Sequence, residues 1–323
     1  MKRRLVFVVL WLIVADLFVP PILQRAEHAR YESGPAFRFD NSDLFALGPM
    51  VRYLREHPHG ERRRVLFLGN SVIFGYGIDA RDAVPARYEQ RAGNARVFNA
   101  AINGQEMGDI FLISKSVIDS VDTLYVQLIP AEGARPILGK LLPVDDADAE
   151  RFHLERANRL EATLDSLLGR AWRLYGNNDR LQAAFFGTST RQYLYLHKRE
   201  LIFGHHPEPE TAIHPQPPVP LFAPGARASR PQSSGVPPGD LSQLPRTVLD
   251  LGSLAVAHHK RIVIIDTRQQ FDAAVADFNA TYAPYAEIVN LTVPPALQYD
   301  RLHFTPDGAD AVAAALVAHE AAR

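Results

Sequence analysis

The chain has no cysteine among its 323 residues. Structural disulfides, thiol catalysis and a lipid-modified cysteine anchor are therefore excluded. It also lacks an excess of either charge. Lys plus Arg number 35, Asp plus Glu 36, and the formal net charge is −1. No long basic run appears, so nucleic acid has no electrostatic footing on this protein. No internal repeat is present. The glycines near position 75 are followed by no Gly-Lys-Ser/Thr, which excludes a phosphate loop, and position 73 is Ile, which excludes the Gly-x-Ser-x-Gly elbow. No regular metal-ligand spacing occurs. His205, His206 and His214 lie among prolines and read as a solvated loop, and no cofactor is expected.

One long apolar run is present. Lys2-Arg3-Arg4 precedes Leu5–Leu23, interrupted by Asp16 and Pro20-Pro21. Its length is close to the roughly 20 residues that cross a bilayer. The basic flank predicts an N-terminus held in the cytoplasm and a remainder that is exported. Residues 1–23 are expected to form a single-pass anchor in the inner or cytoplasmic membrane, with the rest periplasmic. A cleaved signal peptide is the alternative, and it changes the tether but not the compartment. Asp16 is costly at mid-membrane unless it lies near the interface or against a partner.

Residues 24–63 are polar and mixed, with a short amphipathic stretch at 49–56, and read as a linker plus a helix. From Arg64 the pattern alternates between β and α. Strands are expected at 65–68, 96–99, 123–128, 261–266 and 287–290. Helices are expected at 83–91, 106–118, 241–259, 268–282 and 306–321, the last with Thr305 as N-cap and Pro306 at its first position. Short, uniformly apolar strands suit a parallel sheet covered on both faces. An insertion spans about residues 140–245. It is helical and charged up to about Leu201 and proline-crowded over 204–245, where extended chain is expected. It overhangs the sheet edge where α/β proteins bind ligands, either shaping substrate choice or acting as a spacer.

The chemistry-bearing residues lie at opposite ends of the soluble region. Val65-Leu66-Phe67-Leu68 runs into Gly69-Asn70-Ser71, which puts a serine at a strand tip. Near the C-terminus Asp300-Arg301-Leu302-His303 places a carboxylate three residues before a histidine. That carboxylate can fix one imidazole nitrogen and leave the other to take a proton from Ser71. Taken singly, Ser71 reads as a helix N-cap and Asp300 as a turn cap. Together they read as a Ser71–His303–Asp300 triad.

These segments resemble two blocks of the SGNH (GDSL-type) hydrolase family: Gly-Asp/Asn-Ser after the first strand and Asp-x-x-His before the last helix. Phe98–Gly104 resembles the second block, whose glycine lends an N–H to the oxyanion. The match covers residues 64–132 and 260–320. It implies a three-layer α/β/α, flavodoxin-like SGNH fold with a parallel sheet over 64–323, besides the N-terminal transmembrane helix. It also implies Ser71 as nucleophile, His303 as general base and acid, and Asp300 as orienter. Oxyanion donors would be the Ser71 and Gly104 N–H groups. The chain departs from the family at the third block, where Ala131-Glu132 stand and no asparagine follows the strand. Asn70, Asn103 or Gln127 are candidate compensating donors.

The resemblance implies a serine esterase or O-acyltransferase acting on an acylated carbohydrate or other ester. The family includes membrane-tethered members that work beside membrane-bound O-acyltransferases, as in alginate acetylation and teichoic-acid D-alanylation. An envelope or exported polysaccharide carrying O-acetyl groups is thus the expected substrate, and such an acyltransferase the expected partner. The alternative is a non-catalytic polysaccharide-binding or assembly subunit.

Overall fold

The computed structural model describes residues 2–32, 37–38, 47–57, 60–134, 142, 144–155, 160, 163–164, 167–169, 171–178, 181–182, 241–268, 271–300 and 302–322. In chain order they form α1 (Lys2–Glu32), β1 (Phe37–Arg38), α2 (Leu47–Glu56), β2 (Arg63–Leu68), α3 (Ser71–Phe74), α4 (Val84–Ala92), β3 (Ala95–Asn99) and α5 (Met107–Val117). They continue with β4 (Thr123–Gln127), α6 (Asp146–Arg151), α7 (Arg173–Gly176), α8 (Arg246–His258), β5 (Arg261–Asp266), α9 (Asp272–Tyr282), β6 (Ala286–Asn290) and α10 (Pro306–Ala321). The protein is thus α/β, with an apolar N-terminal helix.

All strand pairs are parallel, in the order β1-β3-β2-β4-β5-β6. Leu66 stands opposite Phe98 on one side and Leu124 on the other, and Leu124 opposite Ile262. Because side chains alternate along a strand, each strand feeds two cores. Leu66, Leu68, Leu124, Val126, Ile262 and Ile264 pack with α2, α5, α8 and α9. Val65, Phe67, Tyr125, Val263 and Ile265 pack with α3, α4 and α10. Burial on both faces explains why the strands read as unbroken apolar runs. From β2 the chain passes first to β3 on one side and then to β4 on the other. This reversal falls at the C-terminal ends of β2 and β4, the place where doubly wound sheets bind ligands.

The five longer strands lie within two residues of expectation. Three differences matter. The apolar helix does not stop at residue 23; α1 carries Pro20 and Pro21 within it and continues to Glu32. Tyr31, near its end, is 2% exposed and belongs to the core beneath α2. Residues 24–63 are therefore more than a linker, since they hold the end of α1 and the edge strand β1. Lastly, α8 begins at Arg246, after a 3₁₀ turn at Leu241–Gln243 and Pro245. Of the insertion, α6, α7 and isolated helical residues between 160 and 182 are described. The proline-crowded stretch, with His205, His206 and His214, lies outside the described residues.

Candidate active site

The turn after β2 carries the serine. Asn70 is the N-cap of α3, and its Oδ1 accepts the Val72 N–H at 3.2 Å. Ser71 thus occupies the first helical position, where its own N–H has no intrahelical acceptor. The short helix closes at Gly75, whose φ of 81° is left-handed. Any Cβ there would also sit 2.6 Å from the Ala83 Cβ. Both features require glycine.

The other end of the chain meets this turn. The Thr305 N–H donates to the Leu297 carbonyl at 3.0 Å and the Tyr299 N–H to the His303 carbonyl at 2.8 Å, which closes a tight loop before α10. Thr305 caps α10 by accepting the Gly308 N–H at 3.1 Å, with Pro306 at the first position as expected. Inside the loop, Asp300 Oδ1 accepts the Leu302 and His303 N–H groups at 3.1 and 2.8 Å. Its Oδ2 accepts from His303 Nδ1 at 2.7 Å, and His303 Nε2 stands 2.8 Å from Ser71 Oγ.

Ser71, His303 and Asp300 are therefore joined in one hydrogen-bonded line across a sequence separation of 232 residues. With Nδ1–H committed to Asp300, Nε2 is the acceptor for the Ser71 hydroxyl. Ser71 is 9% exposed. The Asp300 side chain is 56% exposed, so the line is open to solvent at its carboxylate end. Burial acts to raise the Asp300 carboxyl. The His303 backbone N–H, the His303 ring and the Leu302 N–H outweigh it and hold the pKa below the usual carboxylate value. Tyr76 flanks the histidine, with ring centroids 5.2 Å apart.

Four further residues hold the Ser71 turn. Gln105 Oε1 accepts the Gly69 N–H at 3.0 Å, and Gln127 Oε1 accepts the Asn70 N–H at 3.1 Å. Both glutamines are buried. Arg38, from the edge strand β1, donates to the Gly75 and Ile78 carbonyls at 3.0 Å each, with its guanidinium 4.7 Å from the Phe74 ring. Asn99 Nδ2 reaches the Ile73 carbonyl at 3.4 Å. Gln105, Arg38 and Asn99 were not singled out from sequence. A buried amide beside an apolar strand end is the only signal that could have pointed to the glutamines. Gly69 is a close-approach glycine, since a Cβ there would lie 2.7 Å from Gln127 Oε1 and 2.9 Å from the Ile73 Cβ.

The candidate oxyanion donors are arranged as follows. Ile102 N–H donates to the Gly69 carbonyl at 3.0 Å, so the strand leading to Gly104 runs beside the one leading to Ser71. Gly104 follows Asn103 in a turn at φ 68°. Asn70 keeps its amide NH₂ for donation, because its oxygen is used by Val72. Gln127 spends its oxygen on Asn70 and serves first as a support. At the third block, the Ala131 carbonyl accepts the Met107 N–H at 2.9 Å and Glu132 Oε1 accepts the Thr247 N–H at 3.2 Å. That segment closes the starts of α5 and α8 instead of adding a side chain to the site. A separate cleft lined by Asp148, Arg151, His153 and Arg246 contains none of the triad. Among the described residues no group of three or more acidic or histidine side chains could hold a metal.

Gly69→Ala is expected to push the Gln127 amide off the Asn70 N–H. Overpacking of this kind costs about 1–3 kcal/mol. A lower melting temperature together with slower fluorophosphonate labelling of Ser71 would register both consequences. An unchanged labelling rate would remove Gln127 from the support of the site.

Comparison with known proteins finds no matching family model and no matching curated protein.

Proposed function

We propose that the protein is a serine esterase or O-acyltransferase of the SGNH type, tethered to the membrane by α1. The observation that carries this reading is the continuous line from Ser71 Oγ through His303 to Asp300 at the C-terminal end of β2. In the reaction, Ser71 Oγ attacks the acyl carbonyl as His303 Nε2 takes its proton. Negative charge on the carbonyl oxygen falls to the Ser71 and Gly104 N–H groups, with the Asn70 amide as a third donor. His303 then protonates the departing alkoxide, leaving an acyl-Ser71 ester and a free alcohol. Water or a sugar hydroxyl enters next, gives its proton to His303 and takes the acyl group. Asp300 stabilises the imidazolium in both halves.

The substrate class is O-acyl esters, with O-acetyl groups on an envelope or exported polysaccharide as the specific case. That choice rests on the resemblance of the Ser71 and Asp300–His303 segments and on the exported orientation expected from Lys2-Arg3-Arg4. A membrane-bound O-acyltransferase is the matching partner. Retention of α1 as an anchor is supported by its length and composition over Arg4–Ala26 and by the burial of Tyr31 in the core.

The test is acetate release from acetylated oligosaccharide by the full chain, with and without an unacetylated sugar acceptor. Ser71-dependent transfer to the sugar identifies a transferase, and release to water alone an esterase. Absence of both, with no labelling at Ser71, would leave the assembly-subunit reading in its place. Within the same assay Asp300→Asn is expected to lower turnover by about 10²–10⁴, because an amide NH₂ facing Nδ1 favours the wrong tautomer. Stability should change little, Asp300 being exposed; an equal loss of folding would instead make its role structural.

A further inference from the structure

Tyr76 stands against the base of the proposed triad, and no step of the mechanism uses it. Its place follows from the way α3 ends. Gly75 is left-handed, and the Gly75 and Tyr76 N–H groups donate to the Val72 and Ser71 carbonyls at 3.3 and 2.9 Å. Together these two bonds make a Schellman closure, with Tyr76 as the second residue beyond the helix. Gly77, again at φ 81°, turns the chain away at once. The backbone of Tyr76 is thus bonded to Ser71 itself. Its ring lies 5.2 Å from the His303 ring, centroid to centroid, tilted by 45°.

His303 needs a hold of this kind. Its imidazole is bonded at Nδ1 to Asp300 and at Nε2 to Ser71, and two bonds in one line resist least a tilt of the ring about that line. The Asp300 end is also weak, because a carboxylate open to solvent shares its hydrogen bonds with water. Tyr76, by contrast, packs on the core shared by α3, α4 and α10. Among the described residues its hydroxyl has no hydrogen-bond partner, so the ring carries the contact.

We infer that Tyr76 is a positioning residue: its ring, tied to Ser71 through the end of α3, keeps His303 Nε2 directed at Ser71 Oγ. The inference rests on the proposed reading of Ser71 and His303 as nucleophile and base. The two are then joined twice, once by their 2.8 Å contact and once through the turn from Ser71 to Tyr76. A shift of the Ser71 turn carries the imidazole with it, and the proton path stays short in both half-reactions.

The test uses the full chain and the rate of Ser71 labelling by a fluorophosphonate, followed over a range of probe concentrations. Tyr76→Leu is expected to lower the limiting rate by about 10–10²-fold, the cost of misplacing a reacting group by ~1 Å. The probe concentration giving half that rate should not move. Tyr76→Phe restores the ring and should recover the rate; a loss equal to that of Tyr76→Leu would give the role to the hydroxyl and overturn the inference. Tyr76→Met is run beside Tyr76→Leu, with melting temperatures, so that one unfolded variant does not decide the outcome. The second arm is the residual turnover of p-nitrophenyl acetate that the oxyanion donors leave in His303→Ala. With no imidazole to hold, adding Tyr76→Leu should cost nothing further. A further loss of the same size would make Tyr76 a support of the Ser71 turn alone and overturn the inference. No labelling of Ser71 in the parent would overturn the reading of the site, and the role of Tyr76 with it.

Discussion

Ser71→Ala is expected to lower turnover of an activated acetyl ester by on the order of 10⁴–10⁶ and to abolish fluorophosphonate labelling. The fold should hardly register the change. Among the described residues Ser71 Oγ makes one hydrogen bond, to His303, and the cap of α3 belongs to Asn70. A melting temperature within ~2 °C of the parent is expected. His303→Ala should cost about as much, and the double variant no more than either alone, because the groups act as a unit. Additive losses in the double variant would mean that Ser71 and His303 act separately, contrary to the 2.8 Å contact between them. Full retention of activity in Ser71→Ala would place the chemistry elsewhere.

The largest effect on stability is expected at the opposite edge of the sheet. Glu320, in the last turn of α10, accepts Arg63 through both oxygens at 2.9 and 2.6 Å, and the Tyr88 and Tyr125 hydroxyls at 2.5 Å each. Tyr88 and Tyr125 are both 0% exposed. Glu320→Ala removes the carboxylate partner of a half-buried guanidinium and the acceptor of two buried hydroxyls, which keep only their contacts with one another, a loss of about 3–5 kcal/mol. Burial acts to raise the Glu320 carboxyl, but the hydrogen bonds from Arg63, Tyr125 and Tyr88 prevail and hold it below its ordinary 4.5. A depressed carboxyl stabilises the fold above its unfolded pKa and ceases to as pH falls through the folded one. The stability gap between the parent and Glu320→Gln should be constant near neutrality and close below pH 4.5, as urea unfolding at several pH values would record. Burial, followed by the bond to Glu320, pushes Tyr88 up to about 12. Its contribution is complete below pH 10 and is lost as pH rises toward 12. A gap unchanged by acid would mean that Glu320 is not ionised in the fold.

Strand identity was legible because these strands are buried on both faces. Arg261–Asp266 and Pro306–Ala321 match their expected bounds, the first by its apolar run and the second by Thr305-Pro306. Ser71, Asp300 and His303 were legible as a set, since a serine at a strand tip and a spaced Asp–His pair each imply the other. The supports were not. Arg38 lies on a two-residue strand, too short to show any period, and its carbonyl partners at Phe74, Gly75 and Ile78 belong to a turn dozens of residues away. Gln105 and Gln127 act through amide oxygens on backbone N–H groups, a role that side-chain type alone does not specify. The continuation of α1 past Pro20-Pro21 was hidden because consecutive prolines ordinarily end a helix. The use of Ala131 and Glu132 to close two helices appears only once α5 and α8 are brought together.

The order of the triad along the chain has a bearing on biogenesis. A polypeptide that crosses a membrane from its N-terminus presents α1 first, then the Ser71 turn, and its proton acceptor only after some 230 further residues. Until then Ser71 has no imidazole to take its proton and, under the proposed mechanism, is chemically silent. Acquisition of His303 is followed at once by α10, whose final turn locks onto Arg63 and the two tyrosines. If the domain is exported as proposed, completion of the Ser71–His303–Asp300 line and the docking of α10 arrive together, late in translocation. On the proposed reading, a stalled or prematurely terminated chain would be an inert stub, lacking the base that acyl chemistry at Ser71 needs.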